Sequence, residues 1–268
     1  MLLQIAALPR SSYYYHAARL PRPETHAVER QALRKICAEH KGRYGYRRVT
    51  LALHQQGYPT NHKLVMKLMR QEHLSCVLRP RKYRSYRGQI GRLAPNRLNR
   101  RFKTGQPNSK WTTDVTEFKV NGQKLYLSPI LDLYNGEIVS YSLSQTPDFQ
   151  LVLDMLQQAL RKTPDHGPLL LHSDQGWQYQ MNFYQRMLKE NRITQSMSRK
   201  GNCYDNCVIE SFFGLLKTEF FNNQSFSSVQ HFQDELDHYI DYYNNSRIKA
   251  KLKGLSPVQF RTQSFVPT

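Results

Sequence analysis

The chain has 268 residues, and its 39 Lys and Arg outnumber its 20 Asp and Glu to give a formal net charge of +19. No apolar run reaches about 18 residues, and the N-terminus lacks the charged and apolar regions of a signal peptide, so we expect a cytoplasmic rather than a membrane or secreted protein. Cys203 and Cys207 are four residues apart but have no nearby histidine to complete a zinc site, and we interpret all four cysteines, Cys37, Cys76, Cys203 and Cys207, as reduced structural thiols.

The charge is unevenly distributed along the chain. Residues 1–110 carry 24 basic and 4 acidic side chains, whereas residues 111–268 carry 15 basic and 16 acidic ones. A basic front joined to a neutral back predicts two units with different tasks. The simplest partner of the front is a polyanion such as nucleic acid, and the alternatives are a generally basic soluble protein or a membrane-surface binder.

Three helices are predicted in the basic front, after a short N-terminal segment over residues 1–23. Apolar positions at helical spacing predict the first from Glu24 to His40. The second stops at Gly57, a residue type that takes the left-handed conformation at helix ends, and Thr60 or Asn61 caps the third.

Two short helices joined by a Gly-containing turn indicate a helix-turn-helix domain over residues 24–78, although three helices can also pack together without contacting DNA. Basic residues before and on these two helices are the DNA-binding candidates: Arg43, Arg47, Arg48, Lys63, Lys67 and Arg70.

Helical periodicity is lost in residues 79–110, where basic side chains interleave with tyrosines. Such a segment cannot bury a core, but it can lie along phosphates while its tyrosines stack on exposed bases. We interpret it as a basic linker that becomes ordered on DNA, with a merely solvated linker as the alternative. Its DNA-binding candidates are Arg81, Lys82, Arg84 and Arg87.

Residues 111–225 have strand signals followed by alternating helices and strands. The patterns predict strands at 112–120, 124–133, 137–143, 169–172 and 193–197, and helices at 148–162, 178–190 and around residue 210. This order implies a mixed α/β sheet with helices on both faces, as in a ribonuclease-H-like domain. A helical tail over 226–268 adds a second group of DNA-binding candidates, Arg247, Lys249 and Lys251.

Three carboxylates are expected to meet at one edge of this sheet. Asp114 lies on the first strand, Asp174 lies just past the strand ending at residue 172, and Glu210 lies on a helix that Asp205 or Asn206 could cap. Carboxylate oxygens suit two Mg²⁺ ions, for which Mn²⁺ can substitute. Two such ions about 3.5 to 4 Å apart serve in-line phosphoryl transfer.

Each carboxylate also has a plainer explanation, as a strand-end aspartate, a turn former or a solvent-facing helix residue. Asp132 and Asp205 compete as metal ligands. Asp132 ends the neighbouring strand and could support the site from behind the ligands, whereas Asp205 is better explained as a helix cap.

Short motifs in the neutral half carry a family resemblance, and they are residues 113–116, 131–133, 172–176, 205–213 and 216–217. Asp174 and Glu210 are separated by 35 residues, and Lys217 follows Glu210 by seven. With these features the chain resembles the B-frame transposases (OrfB) of bacterial insertion sequences, which belong to the DDE superfamily and have a retroviral-integrase-like core. Residues 43–48 resemble the helix-turn-helix before that core.

The resemblance implies an enzyme that nicks DNA at the element ends and uses the freed 3′-hydroxyl to attack another strand. Asp114, Asp174 and Glu210 would bind the metals, Lys217 would contact DNA, and His172 and Asn206 would support the site. It also implies double-stranded DNA as partner, a homo-oligomer on DNA, nucleoid association, and an A-frame (OrfA) protein or fusion that supplies another helix-turn-helix. The start at Met1 fits a B-frame product.

Two other functions remain open from the sequence. One is a catalytically silent DNA-binding regulator of transposition, and the other is a ribonuclease-H-like nuclease that only hydrolyses. A strand-transfer assay separates them, because only a transposase yields joined products.

Overall fold

The structure is a computed structural model that describes residues 9–17, 26–76 and 93–263. By its internal contacts the chain divides into two units, Met1–Ser75 and Cys76–Thr268. The linker candidates Arg81, Lys82, Arg84 and Arg87 lie outside the described residues. Over the ranges described, no helix combines the length and apolarity that crossing a membrane requires.

The described part of the first unit is helical, and its helices are α1 (Arg10–Ala17), α2 (Ala27–Glu39), α3 (Tyr46–Gln55) and α4 (His62–Gln71). After α3 the chain reverses at Gly57, whose φ of +84° is in the left-handed region that favours glycine. Asn61 caps α4 by accepting a hydrogen bond from the amide of Lys63 at 2.9 Å. Apolar side chains of α2, α3 and α4 form the interior, among them Leu33, Ile36, Val49, Leu53, Val65 and Leu68.

The second unit is built on a six-stranded mixed sheet. Its strands are β1 (Lys110–Thr113), β2 (Thr116–Val120), β3 (Gln123–Asp132), β4 (Ile138–Ser144), β5 (Leu169–Ser173) and β6 (Ile193–Met197). Strand β3 pairs antiparallel with β1, β2 and β4, whereas β5 pairs parallel with both β1 and β6. The single strand predicted at 112–120 is interrupted at Asp114 and Val115.

Helices cover both faces of the sheet, and they are α5 (Phe149–Lys162), α6 (Asn182–Glu190), α7 (Cys207–Glu219), α8 (Val229–Asn245) and α9 (Pro257–Gln263). One apolar cluster joins α5 and α6 to Ile130 of β3, and the other joins α7 and α8 to Leu131. Since successive strand residues point to opposite faces, the two clusters lie on opposite sides. The predicted mixed α/β fold is therefore confirmed.

The basic tail is partly internal, contrary to its predicted exposure. Arg247 is only 2% exposed, and its guanidinium donates two hydrogen bonds of 2.7 Å to the buried carboxylate of Glu219. Lys249 donates to the carbonyl oxygens of Asn135 and Gly136. The prediction that Arg247 faces DNA was therefore wrong, because its charge is used in a buried ion pair, while the half-buried Lys249 keeps partial access.

Candidate active site

The strand register brings Asp114 and Asp174 together. Strands β1 and β5 are parallel neighbours with Thr112 opposite His172, and each aspartate lies two residues further along its own strand direction. Adjacent strands are about 4.8 Å apart, so the two carboxylates leave the sheet side by side. Both side chains remain partly exposed.

Each aspartate is oriented by its own backbone turn. The Oδ1 atom of Asp114 accepts a hydrogen bond of 2.7 Å from the amide of Val115, and Oδ1 of Asp174 accepts one of 2.8 Å from the amide of Gly176. A Cβ atom at Gly176 would lie 2.9 Å from that same Asp174 oxygen. Only glycine therefore fits beside Asp174 without displacing the carboxylate.

Helix α7 and the residue before it add Glu210 and Asn206 to the site. The Asn206 side chain accepts a hydrogen bond from the hydroxyl of Thr112 and donates one to Oδ2 of Asp114, each at 3.1 Å. Asn206 occupies the N-cap position of α7, but its side chain makes no cap hydrogen bond, so the prediction that this side chain caps the helix was wrong. Glu210 donates its amide to the Asn206 carbonyl at 3.3 Å, which places it one helical turn further on the same side.

The carboxylates are electrostatically linked. Burial raises the pKa of Asp114 well above its usual range, and the charges of Asp174 and Glu210 raise it further, against the hydrogen bonds from Val115 and Asn206. Burial also raises the pKa of Asp174. Negative charges that raise the pKa of Asp114 favour a divalent cation beside it.

The donor set fits magnesium. Mg²⁺ prefers carboxylate oxygens and keeps several of its waters or substrate oxygens, so one or two carboxylates can hold each ion. Within the described ranges, no three His, Cys, Asp or Glu side chains are already gathered closely enough to enclose a metal by themselves. An ion here would thus share its coordination shell with water or with DNA phosphate.

Asp132 lies away from this site. It pairs with Trp111, at the end of β1 opposite to Asp114, and accepts hydrogen bonds from the amides of Asn108 at 2.7 Å and Tyr134 at 2.9 Å. Burial raises its pKa to about 6. The prediction that Asp132 supports the metal ligands was wrong, because its oxygens organise two chain turns at the other end of the strand.

His172 is fully buried on β5, and its Nδ1 atom lies 2.9 Å from the hydroxyl oxygen of Ser196 on β6. Its Nε2 atom has no hydrogen-bond partner among the described residues. Burial lowers the pKa of His172 to about 4, so the imidazole is neutral near pH 7. From this position it can brace the sheet below Asp174 but cannot touch a substrate.

Lys217 lies two helical turns beyond Glu210 on α7. Its ammonium group sits 5.6 Å from the centre of the Phe118 ring, and burial lowers its pKa. The side chain is half-buried, so it keeps one side open to solvent.

The basic candidates of the first unit are divided by exposure. Arg47, Lys63, Lys67 and Arg70 are exposed, as is Lys251 in the second unit. Arg43 is only 7% exposed, and its carbonyl accepts a hydrogen bond from Arg48 at 3.3 Å. The expected DNA contact was therefore wrong for Arg43, while the half-buried Arg48 keeps partial access.

Sequence reasoning missed the surroundings of Asp205. Its carboxylate does not cap α7 but is held by Asn96, Arg100 and Arg199. Two of these partners lie more than 100 residues earlier in the chain, and an aspartate just before a helix has the same local pattern as a cap. No local signal distinguishes the two roles.

Comparison with known proteins agrees with this architecture. Residues 105–203 and 210–265 match models described as integrase core domain, and residues 25–83 match an HTH-like domain. The InsK protein of insertion sequence element IS150 from Escherichia coli (strain K12) is 52% identical over 99% of this chain and 94% of its own. The InsF transposase of insertion sequence IS3A from the same strain is 34% identical over 98% and 93%.

A simian T-cell lymphotropic virus intasome, solved in complex with the PP2A regulatory subunit B56 gamma, shares the fold with a TM-score of 0.51. It is 17% identical and matches 87% of this chain and 76% of its own. An integrase core that follows an HTH-like domain along the chain indicates an enzyme that acts on nucleic acid. The chain belongs to the insertion-sequence transposases with an integrase core, DDE-superfamily enzymes of DNA cleavage and strand transfer. The silent-regulator and hydrolysis-only alternatives are not favoured.

Proposed function

We propose that Asp114, Asp174 and Glu210 hold two Mg²⁺ ions, replaceable by Mn²⁺, and form the centre at which both DNA steps occur. The observation that supports this most is the pairing of β1 with β5, which aligns the two aspartates, together with the Asn206 contact that ties the start of the Glu210 helix to Asp114. When bound, the ions would activate the attacking oxygen and stabilise the leaving one.

Two displacements at phosphorus account for the reaction. In the first, a water oxygen attacks the phosphodiester at an element end, the bond from phosphorus to the 3′-oxygen breaks, and a 3′-hydroxyl is freed on the element. In the second, that hydroxyl attacks a target phosphodiester and releases a 3′-hydroxyl of the target. The second step exchanges one phosphodiester for another and therefore needs no external energy source.

The chain's own residues orient this chemistry. The Val115 and Gly176 amides fix one oxygen of each aspartate, and Asn206 fixes the second oxygen of Asp114. His172 braces β5 from inside the sheet. Lys217, partly open on the same helix as Glu210, would contact a DNA phosphate near the reacting bond.

The chain binds DNA, and we propose that its double-stranded element ends are held by exposed basic residues, namely Arg47, Lys63, Lys67, Arg70 and Lys251. Phosphate contacts of this kind position the duplex without reading its sequence. An element has two ends, so we further propose that more than one copy assembles on DNA. An A-frame protein or fusion is proposed as an additional partner, and binding to chromosomal DNA would place the protein at the nucleoid.

The test uses a labelled duplex that carries one end of the element, with and without a preformed nick, in Mg²⁺ or Mn²⁺. Wild-type protein should yield joined products, and Glu210→Gln should yield none while it still binds the duplex. The control is Glu190→Gln, an exposed change at the end of α6 that should leave joining intact. Joining at the wild-type rate by Glu210→Gln would refute the assignment, and shortened products alone would indicate a nuclease.

A further inference from the structure

Asp205 is a fully buried carboxylate held by three residues from two parts of the second unit. Its side chain is 0% exposed. It accepts a hydrogen bond from the Asn96 amide at 2.8 Å and one from Arg100 Nε at 3.0 Å. Arg199 adds two guanidinium hydrogen bonds of 2.8 and 2.9 Å and one of 3.1 Å from its backbone amide. A buried charge persists only when it is paired and hydrogen-bonded in this way.

The residues that reach Asp205 from upstream belong to a segment that we call the strap, residues 93–101. The amides of Arg97 and Leu98 donate to the Ser196 hydroxyl at 2.9 and 3.1 Å, and the Leu98 side chain is buried. The strap is therefore attached to β6, although its basic side chains are exposed.

The strap is connected to both aspartates of the acidic site. Through Asp205 it reaches the next residue, Asn206, whose amide contacts Asp114. Through Ser196 it reaches His172, which lies two residues before Asp174. The first connection therefore ends at a residue that contacts Asp114, and the second ends two residues before Asp174. A displacement of a catalytic group by about 1 Å can cost about a hundredfold in rate.

Arg100 and Arg199 both hold the loop that precedes α7, because each donates hydrogen bonds to the Asp205 carboxylate. The Arg100 guanidinium also donates to the Asn202 side chain at 3.1 Å, so it joins both ends of the turn 202–205. About half of each arginine side chain is exposed, which leaves the bonds to Asp205 as their main attachment. The start of α7 is thus fixed by charge-assisted hydrogen bonds rather than by a helix cap.

We propose that Asp205 is a positioning residue for transposition, which ties the strap to the start of α7 and thereby holds Asn206 against Asp114. The inference rests on the proposed function, because it concerns the geometry of the same acidic centre. Asp205 itself touches no reacting atom. Outer hydrogen-bond partners of metal ligands typically change activity by about 10- to 100-fold when they are replaced.

The test compares wild-type protein with Asp205→Asn, which keeps the shape of the side chain but removes its charge. In single-turnover joining on a pre-nicked duplex, the maximal rate should fall by about 10- to 100-fold. The DNA concentration that gives half the maximal rate should change by less than about threefold, because the phosphate-binding residues are elsewhere. The control is Glu137→Gln, which breaks the ion pair with Arg261 and lowers stability without contacting the strap.

A second measurement does not depend on catalysis. In ¹⁵N-labelled metal-free protein, the side-chain amide protons of Asn206 should exchange slowly with solvent, since one of them is bonded to Asp114. Asp205→Asn should accelerate this exchange at least about tenfold, while Glu137→Gln should not. If Asp205→Asn does not fold, Arg100→Lys and Arg199→Lys are measured instead, because lysine keeps the charge but loses the forked donor geometry.

The outcomes separate the two proposals. Both proposals are supported if Asp114→Asn is inactive and if Asp205→Asn shows a reduced joining rate and faster exchange of the Asn206 side-chain amide protons. Inactive Asp114→Asn with wild-type rate and exchange in Asp205→Asn, or in both arginine variants, overturns the positioning role alone. Full activity of Asp114→Asn overturns the proposed function itself.

Discussion

Asn206 donates its side-chain amide proton to Oδ2 of Asp114 across 3.1 Å, from the residue immediately before the helix that carries Glu210. One carboxamide thus links a strand-borne and a helix-borne acid. The carboxamide oxygen of Asn206 also accepts a hydrogen bond from the Thr112 hydroxyl, so the orientation of the side chain is fixed at both of its polar atoms.

Replacing Asn206 with Asp tests this link. The new carboxylate would face Asp114 and repel it, so the joining rate should fall by about 10- to 100-fold while DNA affinity is retained. Asn121→Asp, in an exposed turn of the same unit, adds an equal charge and should leave joining unchanged. Equal joining rates in the two variants would show that the Asn206 contact is dispensable.

Asp174→Asn should stabilise the metal-free protein. Because its pKa is raised, folded Asp174 holds its proton more tightly than the unfolded chain does, so stability is lost as pH rises through the folded pKa. Asparagine keeps an oxygen for the Gly176 amide but cannot ionise. In urea titrations with EDTA, we expect a gain in unfolding free energy at pH 8 that shrinks toward pH 4.

The same urea titrations, repeated with Mg²⁺ in place of EDTA, measure how much the metal stabilises each protein. The metal should stabilise the wild-type protein more than Asp174→Asn, because it binds only the folded state and needs the carboxylate. Asp165→Asn, an exposed change, should respond as the wild type does. A lower stability of Asp174→Asn than of wild type at pH 8 would contradict the raised pKa of Asp174.

His172 should make the protein sensitive to acid. Its folded pKa of about 4 lies below the ordinary value of 6.5, so its contribution is full above pH 6.5 and is lost as pH falls toward 4. The loss is about 3 kcal/mol. His172→Gln should flatten this part of the stability curve, and the exposed His238→Gln should not. A wild-type slope in His172→Gln would show that the imidazole is protonated more easily than its burial implies.

Replacing Arg247 should lower the stability of the protein strongly, whereas replacing Lys251, four residues later, should hardly change it. Arg247→Leu leaves Glu219 buried without its partner and should lower the unfolding free energy by about 3 to 5 kcal/mol, whereas Lys251→Ala should change it by less than about 0.5 kcal/mol. Replacing Glu219 and Arg247 together with leucine should recover most of the loss. No recovery in the double variant would mean that packing, rather than charge pairing, dominates there.

The first unit should bind DNA chiefly through phosphates. Substituting Lys63, Lys67 and Arg70 together with alanine should reduce the slope of log affinity against log salt by about 3, and should weaken binding to all sequences alike. Lys35→Ala, an exposed change on α2, is the matched control. An unchanged slope in the triple variant would place the phosphate contacts elsewhere.

Local patterns carried much of the prediction. Strand β6 was predicted at its observed bounds, and helix α5 to within one residue, because their apolar patterns are local signals. The assignment of the three carboxylates depended on two strand ends and a helix taken together with the family resemblance, since each residue alone also had a plainer explanation. The burial of Arg247 was not, since its partner Glu219 lies 28 residues earlier and a basic tail resembles a solvated one.

Strand β6 pairs with β5, and the strap is attached to β6 because the backbone amides of Arg97 and Leu98 bond to its Ser196 side chain. The same segment holds Asp205 through Asn96 and Arg100. A fragment of the catalytic unit cut at residue 105, where the integrase-core match begins, would lose these contacts, whereas one beginning at residue 93 would keep them. The useful boundary for producing the catalytic unit alone is therefore set by the strap, twelve residues upstream of the recognisable domain.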